Sequence, residues 1–220
     1  MDDMSIRDPE EELRTAIEGA LHNMHVALPV RVLKGSDGKT VSIQPTIKAN
    51  QTMPDGTVRQ VDYPMLDALV YFTSGGGVTN THEVKEGDEG MVLLASRSMH
   101  NWREMGGVQP QVDSRKHDLS DAIFLPGVRS KPRDLSNIST TSTQTRTDDH
   151  QTVSDWSSDG IAHARGDAVH STTGNGIMSA IKGALHSVTG KGVMASKGGS
   201  SHVVVDGAVS SLAPKVLLNC

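Results

Sequence analysis

From Val153 an aliphatic residue returns every eight positions, at Ile161, Val169, Ile177, Leu185, Val193, Val209 and Leu217, and Ser201 alone breaks the series. From Gly160 to Ala208 a small residue stands just before each octad's first position: Gly160, Ala168, Gly176, Ala184, Gly192, Ser200 and Ala208. The pairs Gly176-Ile177 and Gly192-Val193, and the histidines His170, His186 and His202, also recur at sixteen. A repeat this short cannot close a core of its own. It is one strand and one turn used repeatedly, so the C-terminal third is a rod.

Alternate residues of a strand point to opposite faces. Taking the aliphatic as the first octad position, the sequence predicts that it points inward and that the second position (His170, Met178, His186, Met194, His202 and Ser210) points outward. Positions six to eight, as in Gly174-Asn175-Gly176 and Gly190-Lys191-Gly192, are expected to carry the turns. One chain offers too few bulky aliphatics to enclose a core and leaves open strand edges, which aggregate. Three chains around a common axis remove both defects, so an intertwined homotrimeric β-helix is expected. Eight strands at the usual spacing give a rod about 40 Å long.

Composition limits the rest of the 220 residues. Only 35% are hydrophobic and 3% aromatic, poor material for one large core. The formal charge of −5 argues against a nucleic-acid partner, which wants a basic face. No apolar run is long enough for a transmembrane helix. The acidic start MDDMSIRDPEEEL has no signal-peptide pattern. With Cys220 as the single cysteine, no disulfide framework is expected and assembly in a reducing cytoplasm is the simplest reading.

Upstream of the rod the pattern changes twice. Asp8 to Met24 reads as a helix, with Asp8 as N-cap, Pro9 at the first position, and Glu10, Glu11 and Glu12 at the positive end of the dipole. Leu13, Ile17, Leu21 and Met24 form its apolar stripe, a docking or packing face, and Pro29 is expected to close the segment. From Val26 to Pro126 short strands alternate with turns. Val30–Leu33 and Thr40–Ile47 read as a hairpin over Asp37-Gly38; Asn50–Arg59 as a loop or second turn; Leu69–Phe72 as a buried strand ending at Gly75-Gly76-Gly77; Met91–Ala95 as a strand after the Gly87–Gly90 turn; and Met99–Glu104 as a helical turn. Some five strands in a hundred residues predict a small closed barrel, with the OB-fold as first choice. The Ser/Thr-rich stretch before the rod is a linker or a wrapping strand. The expected organisation is a helical segment over 1–25, an OB domain over 26–127, a linker over 128–150 and the spike over 151–220.

The order of these motifs resembles a known family. Val61-Asp62-Tyr63-Pro64-Met65-Leu66, Val70-Tyr71-Phe72, the glycine run, Gly87-Asp88-Glu89-Gly90, the strand from Met91, Ser96-Arg97-Ser98, Trp102 and Arg115 to Ala122 are similar to the N-terminal domain of phage baseplate spike proteins, the baseplate assembly protein V group. The resemblance implies a homotrimer in the virion, at the tip of a contractile tail or tailocin. Its barrels would seat on the baseplate hub and tail tube proteins, and its rod would be pushed through the host outer membrane. Many such spikes end in a His-x-His pair that binds iron. Here His202 is the last histidine and no such pair exists, so an apolar plug, Val216-Leu217-Leu218, or a separate tip protein is expected to cap the rod.

The remaining chemistry-bearing residues carry bland readings. His170, His186 and His202 sit two strands apart and read as surface decoration. His163, at a third position, is expected to face the axis as a polar layer. Gly38-Lys39-Thr40 lacks the first P-loop glycine, because Leu33 occupies its place. His117, Asp118, Ser120 and Asp121 are triad material without a nucleophile elbow. Arg165-Gly166-Asp167 is a turn, the sequons at Asn50 and Asn137 are chance, and Cys220 is an exposed terminal thiol. No catalytic, cofactor-binding or metal residue is assigned. The expected function is therefore mechanical and non-enzymatic. The alternative is an OB-fold nucleic-acid-binding module with an oligomerising β tail. It calls for aromatic platforms and a basic groove, and an enzyme of the polysaccharide-degrading β-helix type calls for paired carboxylates; the chain is poor in all three.

Overall fold

The computed structural model describes residues 8–22 and 24–213. The chain divides after Asp134 into two compact units. The first opens with helix α1 (Pro9–His22). Asp8 caps it, its Oδ1 accepting the Glu10 amide at 3.0 Å. The helix has no buried residue, and Leu13, Ile17 and Leu21 are all exposed. The helix ends well before Pro29, which instead lies inside strand β1 (Ala27–Lys34). Proline fits there because it stands at the end of the ladder to β2 (Thr40–Pro45), where its carbonyl still accepts the Thr46 amide.

The expected second turn is a full hairpin, β3 (Lys48–Thr52) with β4 (Val58–Asp62). The next strand begins earlier than its most apolar residues suggest: β5 is Leu66–Val70, because Leu66 and Ala68 alternate inward and Tyr71 is already exposed. The glycine run does not simply end a strand but turns between β6 (Ser74–Gly75) and β7 (Val78–Thr79). Strand β8 (Glu89–Leu94), helix α2 (His100–Met105) and β9 (Ala122–Pro126) complete the unit, followed by a 3-10 turn at Lys131–Arg133.

Five of these strands close a barrel in the order β1-β2-β5-β9-β8. All its pairings are antiparallel except β5 with β9, where Leu69 lies opposite Ile123. This is the OB-like barrel expected. Period-two alternation fills it: Leu28, Val30 and Val32 from β1, Val41 and Ile43 from β2, Val92 and Leu94 from β8, and Phe124 from β9 are all buried. Gly90 makes room for Phe124, since a Cβ at Gly90 would lie 2.5 Å from that ring and 2.3 Å from the Leu125 carbonyl oxygen.

The second unit is one antiparallel sheet of nine strands in sequence order. It comprises β10 (Thr143–Arg146), β11 (Thr152–Ser157), β12 (Gly160–Arg165), β13 (Ala168–Thr173), β14 (Gly176–Ile181), β15 (Ala184–Thr189), β16 (Gly192–Lys197), β17 (Ser200–Val205) and β18 (Ala208–Leu212). From β12 the octad is a six-residue strand plus a two-residue turn, so the small eighth position opens each strand and only positions six and seven turn. The expectation that neighbouring strands come from other chains does not hold for this ladder: from β11 to β17 every strand pairs on both sides with strands of its own chain.

Candidate functional site

Among the described residues of the second unit's sheet none is buried, whereas a sheet normally covers at least one face with a second layer. Its two surfaces are therefore the place to look for function.

Register decides what each surface carries. Six-residue strands joined by two-residue turns set every residue opposite one of the other parity: Ile161 faces Thr172, His163 faces His170, and Ala164 faces Val169. First-position aliphatics thus alternate between faces from strand to strand. This overturns the expectation of one inward first position and one outward second position, and it explains the period of sixteen. It also corrects His163, which stands directly across from His170 on the same face. Ser201 is no gap in an axial row either. It pairs with Ser196 on the face opposite Val209.

One surface, the histidine face, carries a central row in which each residue opposes the next: His163, His170, Ser179, His186, Ala195, His202, Ser211. His170 Nδ1 lies 2.7 Å from Ser179 Oγ, and His202 Nδ1 lies 2.7 Å from Ser211 Oγ. Arg165 and Lys197 share this face. Between Gly160 and Leu212 the other surface bears no charged side chain in its strands.

Each surface also has an aliphatic column, and the two are offset. On the histidine face Ile161, Ile177, Val188, Val193 and Val204, preceded by the indole of Trp156, run beside the turns at 158–159, 174–175 and 190–191, all of them exposed. On the uncharged face Val153, Ala164, Val169, Ala180, Leu185 and Leu212 run beside the turns at 166–167, 182–183 and 198–199. The sheet edge that carries these turns borders an open hollow of about 1280 Å³, lined from Thr145 to Ala213. Gly160, Gly176 and Gly192 form a bare edge on the uncharged face. Each has a φ of +146° to +150°, and a Cβ would come within 2.2–2.3 Å of the facing carbonyl oxygen. Ser157, Thr173 and Thr189 close the turns before these glycines, each hydroxyl accepting the amide two residues on at 3.2 Å. Val205 and Ala208 abandon both features, so the repeat changes character at the turn at 206–207.

Other sequence-suggested residues serve structure. Asp121 is the one buried charged residue among those described, 3% exposed. Arg115 donates to it from Nε at 2.6 Å and Nη2 at 3.0 Å, and the Met99 amide donates at 2.9 Å. Burial pushes the Asp121 carboxyl up, but the Arg115 and Met99 bonds outweigh it and hold it below the ordinary range. Ser120 Oγ donates to Asp118, not to His117, whose backbone has a φ of +50°; no nucleophile–base pair forms. The Lys39 and Thr40 amides both donate to Asp37 Oδ1 at 2.8 Å in a hairpin turn. Gly166 and Asp167 turn between β12 and β13, Asn50 lies in β3, and Asn137 in a left-handed bend. Cys220 and 216–218 lie outside the described residues. Among the described residues no three His, Cys, Asp or Glu side chains gather as a metal site. The offset columns and the Ser142–Gln144–Asp155 contacts, in which Ser142 Oγ donates to Asp155 at 2.7 Å, were missed by sequence reasoning. The sixteen-residue spacing was the signal for the columns.

Residues 28–127 match the family model described as the phage protein Gp138 N-terminal domain. No curated protein matches the chain.

Proposed function

We propose, on the premise that the barrel of residues 28–127 belongs to the Gp138 N-terminal domain family of phage proteins, that the chain is a structural spike of a contractile tail or tailocin baseplate. In this reading it acts as a homotrimer. The barrels seat on the hub and tail tube, and the rod is driven mechanically through the host outer membrane without catalysis.

The observation that carries the reading is the offset of the two aliphatic columns in a sheet with no buried residue. They lie on opposite faces and near opposite edges, so no folding of one sheet on itself covers both. Copies arranged in a ring can do so, with the uncharged-face column of one copy against the histidine-face column of the next. Such head-to-tail contacts close with cyclic symmetry, and three is the smallest number that encloses an axis. The charge-free strand positions suit the inside of that ring, and Arg165, Lys197 and the histidines suit its outside. Covering exposed aliphatics yields about 25 cal/mol per Å², so each added repeat strengthens a rod that must survive an axial blow.

Light scattering on the full chain is the direct test, with a mass three times the 23.4 kDa of one chain expected. A monomer at micromolar concentration would remove the reading. Negative-stain images should show a three-fold head with a narrow rod, and antibody against the barrel should label the tail tip of the particle. Retention of single-stranded DNA on a filter would favour the nucleic-acid alternative instead.

A further inference from the structure

We propose that His163 and His170 form a two-histidine binding site for a borderline divalent transition-metal ion such as Zn²⁺ or Ni²⁺. Octad spacing alone predicts opposite faces for these two residues. The register sets them directly across from each other on β12 and β13, both exposed. Cβ atoms of such a pair lie about 4.5–5.5 Å apart. Two imidazoles at that separation can converge on one ion at metal–nitrogen distances of about 2.1 Å.

The Ser179 contact strengthens the case. Ser179 lies on β14, on the far side of His170 from His163, and its Oγ is 2.7 Å from His170 Nδ1. The two nitrogens of an imidazole point to nearly opposite sides of the ring. With Nδ1 tied toward β14, Nε2 is turned outward and toward β12, where His163 stands. With Nδ1–H donating to the serine, Nε2 keeps its lone pair for the ion, the usual supporting bond of a metal-ligating histidine. Water completes the coordination. Imidazole suits zinc, nickel and copper rather than magnesium or calcium. On its own face the pair is flanked by Arg165, Ala168, Ser154 and Thr172, with no carboxylate to draw hard cations.

The rod contains its own control. His202 has the same serine bond, from Ser211 on β18, which turns its Nε2 toward β16. There the opposing residue is Ala195, which offers no second ligand. His186 likewise lies between Ser179 and Ala195. The proposed chelate lies within one chain, so its stoichiometry does not depend on how many copies assemble.

The test is calorimetric titration of untagged, chelator-treated full-length protein with NiCl₂ and with ZnCl₂, using circular dichroism to confirm that each variant is folded. One ion per chain is expected in the wild type. His163→Ala and His170→Ala should each lose that site, while His202→Ala and His186→Ala keep it. Ser179→Ala should weaken binding about tenfold, because it frees the ring. The proposal is overturned by a wild type that binds neither ion at millimolar concentration. It is equally overturned if His163→Ala and His170→Ala bind as well as wild type, or if His202→Ala loses the site as they do. His163→Gln, which preserves size and polarity, replaces His163→Ala should the alanine variant fail to fold.

Discussion

Gly90 shows how one missing side chain organises the barrel. It occupies an inward position of β8, where period-two alternation calls for an aliphatic, and the Phe124 ring fills the space. Gly90→Ala places a methyl within 2.5 Å of that ring and 2.3 Å of a backbone oxygen, neither of which can yield freely. A loss of about 2–3 kcal/mol is expected, read as a lower midpoint in urea. Asp121 is the second such residue. Asp121→Asn leaves Arg115 half-paired and should cost about 2 kcal/mol, below the figure for a fully buried pair because Arg115 remains 31% exposed. Because the folded carboxyl titrates below its ordinary 3.8, its contribution is complete above that pH and fades as pH falls through the folded value. Acid unfolding below about pH 4 should therefore be shallower in Asp121→Asn than in wild type. Equal acid profiles would show that the carboxylate contributes nothing. Neither role was legible beforehand. Gly90 looked like part of a turn, and Asp121 looked like triad material, because a linear string does not show which strand lies behind a residue.

At the scale of elements the octad was readable as a unit but not in its sense. Spacing alone announced strand and turn. The direction of the side chains needed the turn length, since a two-residue turn reverses parity at every crossing. The positions of Gly160, Gly176 and Gly192 carried that information, because they recur at sixteen while aliphatics recur at eight. In the barrel, by contrast, β3 and β4 were hidden because Lys48–Thr52 contains no residue that packs inward. The rod glycines give a sharp test. Gly176→Ala puts a methyl 2.3 Å from the Val188 oxygen at a φ of +149°, and should cost about 1–3 kcal/mol. Gly174→Ala, two residues away, meets nothing within 4 Å and should melt like wild type. Indistinguishable melting of the two variants would mean that the sixteen-residue glycines play no part in shaping the sheet.

At the scale of the molecule the question is how copies meet, and the offset columns make the answer testable. Leu185 belongs to the uncharged-face column and Val193 to the histidine-face column. A glutamate in either place must desolvate a charge on assembly, at a cost of several kcal/mol. If like columns met across a two-fold axis, Leu185→Glu and Val193→Glu would each still self-associate, since each variant would retain one intact self-complementary surface. In head-to-tail contacts every interface needs one column of each kind, so each variant alone should run as a monomer in light scattering. Mixing them should then restore a single interface: the Leu185→Glu chain offers an intact histidine-face column and the Val193→Glu chain an intact uncharged-face column. A one-to-one pair that cannot close into a ring is the expected product, while Lys191→Glu, in a turn outside both columns, assembles normally. Self-association of Val193→Glu alone would instead show that the uncharged faces meet one another, and the cyclic arrangement would have to be abandoned.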